Sequence, residues 1–151
     1  MLFRSIGAAE RDTLEAELPA GGSASFTFGD LEIRSNRLAQ VLHDRGVVRG
    51  DRLAFLLANR IEIIDLWLAC AKLGVIVVPI NVLYQAREIA HIVGDAQPAA
   101  VVTTTDRGAD LNADVMVWDV DLLTRDAAAL HDLRGRSPAA RADRAAQPRP
   151  E

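Results

Sequence analysis

Apolar and polar positions change spacing several times along the middle of the chain, and each change marks an element. Thr27-Phe28-Gly29-Asp30 has the form of a capping box, with an acid set against the positive end of the helix dipole. Leu31, Leu38 and Leu42, helped by Ala39 and Val41, continue it as an apolar stripe at helical spacing, and Gly46 after Arg45 is placed as a C-terminal cap. Gly50-Asp51 marks a turn. Leu53-Ala54-Phe55-Leu56-Leu57-Ala58 is a continuous apolar run, the pattern of a strand buried on both faces. Asn59 is expected to open a second helix through Ile61, Ile64, Leu68 and Leu73, ending at Gly74. Val75-Ile76-Val77-Val78 is a β-branched strand stopped by Pro79, which cannot donate to a ladder. A third helix is expected over about Ala86 to Val93, before Gly94 and Pro98. Ala100–Thr103 and Val115–Trp118 are read as two further strands.

Strands alternating with helices imply βαβ units, so the predicted fold class is α/β: an incomplete, doubly wound and largely parallel sheet. The pattern fades towards the C-terminus. After Leu133 there is no Val, Ile, Leu or aromatic residue to bury, and from Arg125 onward six arginines face Asp126, Asp132, Asp143 and Glu151. Residues 125–151 are therefore expected to be a disordered, Arg/Ala/Pro-rich tail, residues 25–124 the folded unit, and residues 1–24 a lead-in.

Composition narrows the function classes. The chain has 151 residues, is 50% hydrophobic and carries a net charge of −4. That is one domain's length, and the mild acidity argues against a nucleic-acid partner. The single cysteine, Cys70, excludes an internal disulfide framework and a multi-cysteine metal site. The N-terminus has no signal-peptide pattern and the chain no uncharged run of about 20 apolar residues, so a soluble, cytoplasmic protein is expected. Sixteen of the 17 basic residues are arginine; Lys72 is the exception.

The residues alone give no active site. There is no GxGxxG, no GxxxxGK[ST] and no GxSxG. His43, His91 and His131 are far apart in sequence, and His43 and His91 read as surface residues on helices. Cys70, between Ala69 and Ala71, reads as a buried inert thiol, and Trp67 as core. Asp119 and Asp121 can attract a metal, but no further ligands are spaced around them, so they read as a solvated pair. A flavodoxin-like or receiver-type domain is disfavoured because the first buried strand ends in Ala58-Asn59-Arg60 without an acidic pair.

Residues 26–104 do resemble a known family. Ser35-Asn36-Arg37-Leu38-Ala39 leading to Gly46 and Gly50-Asp51-Arg52, then Asn59, then Leu68-Ala69-Cys70-Ala71-Lys72-Leu73-Gly74 leading into Val78-Pro79-Ile80-Asn81, then Glu88-Ile89 and Asp95-Ala96, follow in order and spacing. This run resembles the N-terminal region of the AMP-forming acyl-CoA synthetases, in the adenylate-forming superfamily that includes luciferases and nonribosomal adenylation domains. The resemblance implies a ligase reaction in which a carboxylate attacks the α-phosphate of Mg·ATP to give an acyl-adenylate and pyrophosphate. A thiol, usually coenzyme A, then takes the acyl group. It also implies that the Ser/Thr/Gly-rich phosphate loop, the ribose-binding aspartate and the late lysine lie downstream of these residues. No catalytic, cofactor-binding or metal residue is thus assigned here, and no cofactor is expected to bind this segment; ATP, Mg and coenzyme A belong to the full-length family. A carboxylic, in particular fatty, acid is the implied substrate. The segment is expected to be inactive alone and to self-associate through an exposed sheet edge. The fading pattern after Leu133 fits a shifted frame, a truncated or mis-called gene, or a cloned fragment. The alternative is a non-catalytic binding or regulatory module on the same scaffold.

Overall fold

A computed structural model describes residues 13–17, 21–108, 111 and 114–134. Strands β1 (Thr13–Glu17) and β2 (Ser23–Thr27) form an antiparallel hairpin, with Leu14 opposite Phe26 and Ala16 opposite Ala24. Helix α1 (Phe28–Asp44) follows directly. Then come β3 (Arg52–Leu56), α2 (Ile61–Leu73), β4 (Ile76–Pro79), α3 (Ala86–Ala96), β5 (Ala100–Thr103), the short α4 (Thr105–Gly108), β6 (Val117–Asp119) and α5 (Val120–Arg134).

The second sheet is parallel throughout, in the order β4-β3-β5-β6. The chain leaves β3 in one direction, reaches β4 through α2, and returns past β3 to β5 through α3. Crossovers of a single hand then require α2 and α3 to lie on opposite faces, and the packing is of that kind. Leu53, Phe55, Ala100 and Val102 face a core shared with α1, α2 and α5, through Leu38, Leu42, Leu66, Ala69, Cys70, Leu123 and Ala127. Ala54, Leu56 and Val101 face the opposite way, onto Ile80 and Ile89. Alternate residues of β3 thus feed two cores, which is why its sequence is apolar at nearly every position. The two edges are β4 and β6, where Ile76, Met116 and Val117 stay exposed. A third, smaller cluster seats the hairpin on the starts of α1 and α2 through Ala16, Leu31 and Ile61.

Local chemistry sets the helix ends. The Thr27 hydroxyl accepts from the Asp30 amide at 3.0 Å, and the Asp30 carboxylate accepts from the Thr27 amide at 2.9 Å, so the capping box is formed. Gly74 closes α2 at φ +70°, where an added Cβ would lie 3.0 Å from Arg49 Cγ.

Several sequence expectations are corrected. Helix α2 opens after Arg60, not at Asn59: Arg60 is the extended residue before the first turn and makes no side-chain cap bond. The buried face of α2 is Ile61, Asp65, Leu66, Ala69 and Cys70, which leaves Leu68 and half of Trp67 exposed, so Trp67 is not a core residue. Helix α3 continues through Gly94 to Ala96 and ends at Gln97, which adopts φ 46° and donates its amide to the Val93 carbonyl at 2.9 Å before Pro98. The last strand is shifted to Val117–Asp119. The tail does not begin at Arg125: α5 runs through Arg134 and buries Leu123 and Ala127. Residues 135–151 lie outside the described residues. The boundary between residues 24 and 25 falls inside β2.

Candidate functional site at the carboxyl edge of the sheet

In an open parallel sheet, ligands bind outside the carboxyl ends of the strands, where the strand order reverses. That point here lies between β3 and β5. The edge gathers the segments after four strands: Leu57–Arg60, Ile80–Gln85, Thr104–Arg107 and Asp119–Asp121. Each strand delivers an apolar run into the core and then releases polar residues at its end.

Most of these polar groups hold the loops in place. Buried Thr103 donates its hydroxyl to the Leu56 carbonyl at 2.7 Å, joining β5 to β3 at the reversal point. The Asp119 carboxylate accepts from the amides of Asp121 and Leu122 at 2.8 and 3.0 Å and from the Thr105 hydroxyl, and so caps α5. The Thr105 hydroxyl first, with those amides, holds Asp119 below the usual carboxylate range. Arg60 pairs with Glu62 at 2.7 Å and with Asp121, tying the start of α2 to the start of α5. Arg107 donates to the Val82 carbonyl at 3.2 Å. Asn81 accepts the Leu83 amide on its side-chain oxygen at 2.9 Å, and its backbone carbonyl takes the Tyr84 amide, so the loop after β4 is tied down. The loop presents Leu83, 79% exposed, and Tyr84.

This edge has hydroxyls, carboxylates and guanidinium groups, and its Thr105 hydroxyl and Asp119 carboxylate bond to each other at the cap of α5. The sequence residues weighed for chemistry are scattered. His43 lies exposed beside Asp44, and His91 is exposed on α3; His131 falls in α5, with its side chain outside the described residues. Cys70 is fully buried, and burial pushes its thiol up to about 12. Asp119 and Asp121 are turned to different partners at the exposed start of α5: one caps the helix and the other pairs with Arg60. Among the described residues no group of three or more His, Cys, Asp or Glu comes together to hold a metal ion. No helix among them is long and apolar enough to cross a membrane.

Lys72 is committed elsewhere. Its ammonium donates to the Ser35 hydroxyl at 2.7 Å and the Asn36 side chain at 2.8 Å, and pairs with Glu32 at 2.9 Å, so it bridges α2 to α1. Lys72 and then Asn36 hold Glu32 below its ordinary value. The ammonium of Lys72 is thus spent on the contact between α1 and α2. Arg60, Thr103, Thr105 and Arg107 belong to no motif; their signal in the sequence is that polar residues end each apolar run.

The comparisons with known proteins agree with this scaffold. The family model for AMP-binding enzymes matches residues 8–150. The probable non-canonical nonribosomal peptide synthetase CymA of Salinispora arenicola is 38% identical over 120 residues, which cover 80% of this chain and 2% of that protein. The long-chain-fatty-acid–CoA ligase FadD13 of Mycobacterium tuberculosis is 34% identical over 89 residues, 59% of this chain and 18% of that one. The o-succinylbenzoate coenzyme A synthetase MenE of Bacillus subtilis, solved in complex with AMP, superposes with a TM-score of 0.64 at 30% identity, over 68% of this chain and 27% of MenE. The chain thus spans about a quarter or less of these relatives. With this match along nearly its whole length, the chain belongs to the AMP-binding enzyme family and carries the N-terminal region of the adenylate-forming fold.

Proposed function

We propose that the chain is the N-terminal scaffold of an AMP-forming acid–thiol ligase, and that these 151 residues have no ligase activity by themselves. The reaction of the whole enzyme would convert a carboxylate, ATP and coenzyme A to an acyl-CoA, AMP and pyrophosphate through an acyl-adenylate. The observation that carries this reading is the family match over residues 8–150, seated on a fold shared with MenE. The names of relatives such as FadD13 and the crotonobetaine/carnitine–CoA ligase of Proteus mirabilis support a carboxylic acid as substrate and coenzyme A as acyl acceptor. Fatty acids are the first class to assay, given the similarity to FadD13, and a nucleotide- and thioester-forming reaction fits a cytoplasmic setting.

The side chains of the segment support its being inactive alone. Transfer at the α-phosphate needs amides and a cation aimed at the developing charge. The only lysine is bound to α1, Arg60 is neutralised by two carboxylates, and the threonines of the carboxyl edge hold loops. What the segment supplies is the sheet, its two cores and the polar edge against which a complete site is built.

The coding sequence tests the fragment reading. Translation of several hundred bases beyond Glu151 in all three frames is expected to reveal a Ser/Thr/Gly-rich loop followed by Pro-Lys-Gly. Unrelated or non-coding sequence in every frame would overturn the ligase-fragment reading in favour of a stand-alone module.

A further inference from the structure

We draw no further inference here: the strongest candidate, the apolar groove of about 410 Å³ between α3 and the segment around Leu111 and Val115, is an unpartnered face, and nothing in the structure shows what covers it.

Discussion

Arg34→Met leaves the buried Asp65 carboxylate, which joins α2 to α1, without its cation. The Arg34 guanidinium grips Asp65 from α1, with Nε at 2.9 and 3.1 Å from the two carboxylate oxygens and Nη2 at 2.5 Å. It also lies 5.0 Å from the centre of the Phe26 ring, so the hairpin joins the same contact. The Asp65 side chain is only 2% exposed, whereas that of Arg34 is 33% exposed. Burial pushes the Asp65 carboxyl up, and Arg34 works against that; the Glu62 charge adds to the upward push. Methionine keeps the apolar stem and removes the charge, leaving Asp65 stranded. Breaking a buried pair on one side costs about 3–5 kcal/mol, and water entering beside the half-open Arg34 position lowers this to about 2–3 kcal/mol. That is a large share of a small domain's stability. Urea unfolding followed by Trp67 and Trp118 fluorescence gives the number. Arg34→Met/Asp65→Leu is expected to recover most of the loss, because no unpaired charge remains. The deficit of the single variant should also shrink as pH falls. Its Asp65 pKa lies above the unfolded value, so protonation favours the folded state. An Arg34→Met variant within about 0.5 kcal/mol of the parent, or a double variant no more stable than the single one, would refute this reasoning.

Three further outcomes follow from the same structure. Leu123→Ala is expected to cost about 3 kcal/mol in urea unfolding, since Leu123 is fully buried in the core shared by α1, α2 and α5; a loss under about 0.5 kcal/mol would return α5 to the tail. Cys70 should resist a thiol-reactive reagent in the native protein at pH 8 and react promptly in urea, because its thiol is buried with a pKa raised to about 12; fast native labelling would place it at the surface. Asp30, Glu32, Glu62, Asp106 and Asp119 all titrate below their ordinary values of 3.8 or 4.5, outnumbering Asp65, which is raised. A lowered carboxylate adds stability that is present above its unfolded pKa and lost as pH falls. The urea midpoint should therefore hold steady down to about pH 5 and decline below it; a midpoint rising between pH 5 and pH 3 would contradict the assignments.

The parts of the fold that were legible in the sequence are those where one short-range rule decides. Thr27 and Asp30 settle the start of α1 between themselves, Gly74 ends α2, and the unbroken apolar run of β3 announces a strand buried twice. The misreadings arose where a partner distant in sequence decides. Asp65 turns inward on α2 because Arg34, 31 residues earlier, meets it, and this rotates Trp67 outward. Spacing alone favoured Leu68 for the core. The hairpin is not legible because β1 is short and half polar, although Gly21 and Gly22, both at positive φ, stand just before β2. Helix α5 carries Val120, Leu123, Ala127 and Leu130 at helical spacing, but the arginines and alanines around them resembled a solvated tail. The candidate site was the least legible. Its polar groups come from the ends of four strands, and the sheet order that brings Thr103 to Leu56 is a long-range property.

The proposed function gives this chain the family's scaffold and no adenylation chemistry of its own. ATP–pyrophosphate exchange measures acyl-adenylate formation directly, with the purified 151-residue chain, magnesium and a panel of fatty, short-chain and aryl carboxylic acids. Exchange no faster than the enzyme-free control is expected for every acid. Exchange above that control, dependent on both the protein and one of the acids, would contradict it and place a functioning adenylation site within these residues.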